Sequence, residues 1–182
     1  MHGAAMTETP ALATQRFTCR PLQRGDERAL WPAFSSDEAM RYWGRGPFDD
    51  RDEFRDYLFD KGGTWGGRTW VCEPKEGGAP VFRMVASSDV EQVAEIGYIL
   101  VPGNEGRGIA RECLTALITH LFRTEGYHRI FADVDPRNRR SNALLERLGF
   151  TREGHLRHTM KTHIGWCDTA LWGLLSDEWN EG

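Results

Sequence analysis

No stretch of this chain stays apolar for the roughly 18–20 residues that a helix needs to cross a bilayer, so no helical membrane anchor is expected. The first fifteen residues lack the basic and apolar regions of a secretory signal and read as a disordered leader, residues 1–15. Cysteine is sparse. Cys19, Cys72, Cys113 and Cys167 lie far apart with no C-x-x-C pair, and the six histidines do not fall beside them at metal-ligand spacing. No metal is expected, and four free thiols in a reducing cytoplasm are. Positive charge is not in excess either: 23 Lys and Arg against 27 Asp and Glu leave a net charge of −4. That balance lacks the concentrated positive field that binding to nucleic acid requires. Neither nucleic acid nor a membrane is an expected partner.

What is present suits one globular core. The chain has 182 residues, 40% of them hydrophobic, with nine Phe, seven Trp and four Tyr. That length corresponds to about one domain, expected over residues 16–182. Alternation over 16–22 predicts a strand closed by Pro21. Asp26 is placed to start a short helix that Pro32 interrupts or kinks, Ser36 or its neighbours a second, and Asp49 or Asp50 a third with Phe54, Tyr57 and Leu58 on its apolar face. Three short β-rich runs follow, over 69–72, 80–86 and 94–101, the first two joined by a glycine turn at Gly77-Gly78. Their closeness predicts an antiparallel meander. Beyond them come a helix from Ile109, a strand over 129–134, a helix over 139–148 stopped by Gly149, and two strands near 151–157 and 169–175.

The chemically informative segment runs from the strand Glu95 to Val101 into Gly103-Asn104-Glu105-Gly106-Arg107-Gly108-Ile109-Ala110 and straight into an amphipathic helix. A glycine-rich turn that ends on a helix N-terminus gathers exposed N–H groups with the positive end of the helix dipole, which favours phosphate or pyrophosphate. Glycine for turn geometry alone accounts for the loop equally well. A nucleoside-triphosphate loop would end in G-K-[ST], which is missing, and a dinucleotide fingerprint would need a small residue in place of Arg111, although Asp133 suits a ribose.

Taken together, these residues resemble the GNAT acyl-CoA N-acetyltransferases, and in particular their ribosomal-protein alanine N-acetyltransferase branch. Glu105-Gly106-Arg107-Gly108-Ile109-Ala110 is similar to the family's Gln/Arg-x-x-Gly-x-Gly/Ala at all but its first position. Asp135-Pro136-Arg137-Asn138-Arg139-Arg140-Ser141, followed by Leu144-Leu145-Glu146-Arg147-Leu148-Gly149-Phe150, looks like its second cofactor motif. The resemblance implies a single α/β (α+β) domain with a mostly antiparallel mixed sheet of about six to seven strands, splayed between strands 4 and 5 and flanked by helices.

It further implies acetyl-CoA as co-substrate, with the backbone of Ile99 and Val101 on the pantetheine arm and the amides from Gly106, Arg107, Gly108, Ile109 and Ala110 on the pyrophosphate. Arg107 and Arg111 are then phosphate partners, with Arg139 and Arg140 outside them. Asn138 serves the pantetheine, caps its helix, or both. The side chain of Glu105 is expected to point to solvent. Glu95 is the implied base, with Asp133 and Glu91 in reserve. Many members of the family carry an acidic Tyr where this chain has Leu145, so Ser141 is assigned to the leaving thiol. The implied activity is acetyl transfer to a primary amine, a small molecule or a peptide, by direct attack in a ternary complex. A CoA-binding sensor without turnover is the alternative, a nucleotide-dependent oxidoreductase a weaker one, and a homodimer is left open. Trp31, Trp43, Phe48, Trp65 and Trp70 are candidates for an aromatic acceptor wall.

Overall fold

A computed structural model describes residues 8–59 and 67–180. The elements, in chain order, are β1 (Leu12–Ala13), β2 (Phe17–Pro21), α1 (Glu27–Phe34), α2 (Asp37–Met40), α3 (Arg51–Phe59), β3 (Arg68–Pro74), β4 (Phe82–Val90), β5 (Val93–Leu100), α4 (Ile109–Thr119), β6 (Arg129–Val134), α5 (Arg139–Arg147), β7 (Thr151–Thr162) and β8 (Gly165–Leu175). A π-helical turn over His120–Thr124 extends α4. The strands form one eight-stranded sheet in the order β1-β2-β3-β4-β5-β6-β8-β7. Only β5 and β6 are parallel; every other neighbour is antiparallel. Among the described residues, no helix is long and apolar enough to cross a membrane.

Strand alternation splits the core in two. Residues pointing one way, among them Trp70, Cys72, Met84, Ile96 and Ala132, pack with Cys113, Leu114 and Leu117 of α4 and Leu145 of α5. Those pointing the other way, Val71 and Ile99, pack with Leu30 and Phe34 of α1 and with Phe54 and Leu58 of α3. Burying apolar surface on both faces at roughly 25 cal/mol per Å² is what makes this two-sided arrangement stable.

Two expectations need correction, the unstructured leader and the four free thiols. Part of the expected leader is structured: Leu12 and Ala13 pair with Cys19 and Thr18, and Trp70 Nε1 donates to the Pro10 carbonyl at 2.7 Å. Residues 1–7 lie outside the described residues. Pro32 sits within α1, at the loss of one i→i−4 bond. Cys19 and Cys72 are not free thiols. They face each other across β2 and β3 with Cα atoms 4.0 Å apart and form a disulfide, while Cys113 and Cys167 are free and buried. Cys113 of α4 brings its Sγ within 4.8 Å of both bridged sulfurs. Finally, β1 adds an edge strand to the expected sheet, bringing it to eight, and β7 and β8, both expected, form a long hairpin.

Candidate active site

The parallel ladder between β5 and β6 is short. It pairs Val93 with Arg129, Ala94 with Ile130 and Glu95 with Phe131, and then stops. Beyond Glu95, β5 follows β4 as far as Leu100 opposite Phe82, while β6 follows β8 as far as Val134 opposite Ala170. The strands therefore splay with Glu95 at the vertex, as expected for the family's strands 4 and 5.

Hydrogen-bond alternation decides which backbone groups face that opening. Val101 N–H donates to the Val81 carbonyl at 2.9 Å, on the β4 side. Ile99, opposite Arg83, shares that parity. The Gln92 carbonyl accepts from His128 N–H at 2.9 Å on the β6 side, so the even-numbered residues present their backbone to the splay. Ile99 and Val101, expected on the pantetheine arm, thus turn their backbone to β4, and the groups turned to the opening belong to Ile96, Tyr98 and Leu100. Pattern matching found the strand; only the ladder sets its phase.

Two clefts meet at the splay. One, of about 590 Å³, lies between β5, the loop after it and α5, and is lined by Ile99, Leu100, Glu105, Ala110, Asn138, Arg139, Arg140 and Leu144 among others. The other, of about 550 Å³, is lined by Glu95 and Asp133, the aromatic side chains of Tyr42, Trp43 and Tyr57, and Met160. Tyr42, Trp43, Tyr98, Asn138 and Ser141 line both.

In the glycine loop Gly103, Gly106 and Gly108 have φ of +86°, +73° and +72°, the left-handed region where a side chain is strained. Gly108 is the N-cap of α4, whose first intrahelical bond runs from Glu112 N–H to the Gly108 carbonyl at 3.1 Å. The amides of Ile109, Ala110 and Arg111 precede that bond and form the positive end of the helix. Ile109 itself is buried in the core. Arg107 donates to Asn104 Oδ1 at 3.1 Å. Arg111 projects elsewhere, into grooves beside Thr115, Arg147 and Glu178, because two residues from the buried Ile109 is about 200° round the helix. Glu105 is exposed, and its Oε2 accepts Gly103 N–H at 2.9 Å, closing the loop on itself.

Asn138 caps α5, its Oδ1 accepting Ser141 N–H at 3.1 Å. Ser141 Oγ is 2.6 Å from Tyr98 Oη. Burial pushes the Tyr98 phenol up to about 12, although its bond to Ser141 acts the other way. Sequence reading passed over Tyr98, although alternation places it on the α5 side of β5, three residues after Glu95. Leu145, at the position of the family's acid, is fully buried in the core, whereas Leu144 faces the cleft.

On the opposite face, Glu95 and Asp133 come from paired strands with the same parity. Burial raises the Glu95 carboxyl above its ordinary value, and the nearby charges of Asp133 and Asp89 raise it further. Burial raises Asp133 as well. Glu91 lies exposed in the turn between β4 and β5, outside both clefts. Of the expected aromatic wall, Trp43 lines the site. Trp70 and Phe48 are core residues, Trp31 packs on Phe54 at 5.7 Å, and Trp65 lies outside the described residues.

A family model for the acetyltransferase (GNAT) domain matches residues 16–151. The chain is 38% identical over 87 residues to the ribosomal protein uS5-alanine N-acetyltransferase of Escherichia coli (strain K12), a match covering 48% of this chain and 45% of that enzyme. It therefore spans about half the length of that relative. It is 32% identical over 182 residues to the uncharacterized N-acetyltransferase p20 of Bacillus licheniformis, covering 92% of this chain and 97% of that one. The spermidine N-acetyltransferase of Vibrio cholerae, solved in complex with CoA and spermine, superposes with a TM-score of 0.77 at 25% identity, over 89% of this chain and 96% of that one. With the splayed mixed sheet, the glycine loop at a helix N-terminus and a family model matched over more than half its length, the chain belongs to the GNAT family of N-acetyltransferases.

Proposed function

We propose that the domain transfers the acetyl group of acetyl-CoA directly to a primary amine, either a protein N-terminus or a small-molecule amine, with both substrates bound at once. The observation that carries this reading is the meeting of the two clefts at Tyr98, Asn138 and Ser141. When bound, acetyl-CoA supplies a thioester-activated acetyl group. The freed backbone edge at Ile96, Tyr98 and Leu100 suits its pantetheine arm, and the amides from Gly106 to Ala110 suit its pyrophosphate. Arg139 and Arg140 at the rim of the same cleft suit its outer phosphate.

In the second cleft Tyr42, Trp43 and Tyr57 supply an aromatic lining, with the Arg137 and Arg45 guanidiniums already over the Tyr42 and Tyr57 rings, and Glu95 and Asp133 offset the charge of a cationic acceptor. Glu95, at the vertex of the splay, accepts the ammonium proton directly or through water, which frees the amine lone pair for attack. Asp133 remains as the counter-charge. Ser141 holds a proton for the departing sulfur, oriented by Tyr98.

Thiol release from acetyl-CoA, measured against a panel of N-terminal peptides, polyamines and antibiotic amines, tests this reading. Turnover of at least one amine, lost in Glu95→Gln, is expected. Acetyl-CoA binding with no thiol release across the panel would overturn it.

A further inference from the structure

Outside both clefts, on the far side of the glycine loop, Glu112 acts as a hub. Its Oε1 accepts the Thr14 hydroxyl at 2.6 Å and the Arg16 amide at 2.8 Å, and its Oε2 accepts Arg16 Nε at 2.7 Å. The same guanidinium donates through Nη2 to the Arg107 carbonyl at 3.0 Å. Burial of Glu112 opposes its ionisation, yet Thr14 and Arg16 hold its carboxyl below the ordinary value. The turn between β1 and β2 is thereby tied both to the first turn of α4 and to the loop that precedes it.

The Arg107 carbonyl is the informative contact. No peptide bond among the described residues is cis. In a trans peptide C=O and N–H point in opposite directions, so a carbonyl held outward turns the next amide inward. Here the next amide belongs to Gly108, in the middle of the proposed pyrophosphate cradle. The bonds that turn this peptide are Arg107 Cα–C and Gly108 N–Cα, and Gly108, at φ of +72°, has no side chain to oppose either orientation. An external grip is therefore what sets it.

We infer that Arg16 is a positioning residue for the acetyl donor: by holding the Arg107 carbonyl outward, anchored on Glu112, it presets the Gly108 amide for the donor's pyrophosphate. The inference rests on the acetyl-CoA reading above. Its contacts place Arg16 on the outer side of the loop, so it acts through the loop and does not touch the donor.

The test measures binding of acetyl-CoA and of S-acetylpantetheine, which lacks both the pyrophosphate and the outer phosphate, to the full chain and to Arg16→Met. The acetyl-CoA dissociation constant is expected to rise about tenfold, in the range of a lost charged hydrogen bond, with S-acetylpantetheine binding unchanged. A folded Arg16→Met that binds acetyl-CoA like the parent, or that loses both ligands in equal proportion, overturns the inference. Arg16→Lys keeps the charge beside Glu112 but not the planar fork that serves two acceptors at once. It should show the same selective loss, and recovery of parental acetyl-CoA binding in Arg16→Lys also overturns the inference. Should Arg16→Met not fold, Glu112→Gln, which weakens the anchor, takes its place under the same criteria. Failure of the parent chain itself to bind acetyl-CoA overturns the donor assignment instead.

Discussion

Tyr98 Oη lies 2.6 Å from Ser141 Oγ, joining strand β5 to the first turn of α5 where the two clefts meet. A phenol pushed up to about 12 by burial keeps its proton throughout the neutral range. Either hydroxyl can donate in this pair; with Tyr98 as donor, the serine proton is free to point into the cleft. In the proposed mechanism this pair takes the place of the acidic tyrosine that many family members carry where this chain has Leu145.

Because the two hydroxyls form one unit, their removal should not be additive. Ser141→Ala is expected to lower kcat by on the order of 10²-fold and Tyr98→Phe by less, with little further loss in the double variant. Steady-state kinetics on the four proteins decide it; independent, additive losses would show that Tyr98 does not act through Ser141.

Glu95 ties activity and stability to pH with opposite signs. In its proposed role as base the raised carboxyl must be ionised, so kcat/KM should rise with pH through a limb lying above the ordinary carboxylate range, and that limb should vanish in Glu95→Gln. For folding, a raised pKa means that the stability contributed by the protonated group is full below the unfolded value and is lost as pH rises through the folded value. Glu95→Gln should therefore raise Tm at neutral pH and leave it nearly unchanged in acid. Melting curves at both pH values, measured beside the rate profile, check both halves.

Gly108→Ala isolates backbone conformation from space. A Cβ there would meet only Arg16 Nη2, at an ordinary 3.6 Å, so the cost comes from φ of +72°. A left-handed alanine costs roughly 1–2 kcal/mol, and each kcal/mol lowers Tm by about 2–4 °C in a chain of this size. Calorimetry should show that drop together with weaker acetyl-CoA binding, because the strained residue is also the N-cap of α4.

The Cys19–Cys72 bridge closes a separation of 53 residues. On a chain-entropy estimate, a loop of that size is worth about 4 kcal/mol. Thiol titration of the unfolded chain should find two reactive groups before reduction, Cys113 and Cys167, and four after it. Reduction should also lower Tm; four thiols in the untreated protein would contradict the bridge.

The central elements were legible because their signals are local. Alternation marked β5 and β6, the 3.6-residue period marked α4 and α5, and Gly149 at φ of +86° closes α5 as its position after the last helical turn suggested. The loop from Gly103 to Gly108 could be read as an anion cradle because glycine spacing and a helix start lie on one short segment. Glu95 and Ser141 were reached through the motifs around them.

What remained hidden depends on partners distant in sequence. The phase of the β5 backbone is set by Val81 on the neighbouring strand, and this moved the splay-facing groups from Ile99 and Val101 to Ile96, Tyr98 and Leu100. The disulfide and the grip of Arg16 on Arg107 likewise arise only once β1, β2 and β3 are laid beside one another and beside α4. Composition and periodicity determine which segments become strands and helices, since each segment carries its own pattern of burial. Register, facing and long-range contact belong to the assembled sheet, because a one-residue shift of pairing turns every side chain and every amide to the other side.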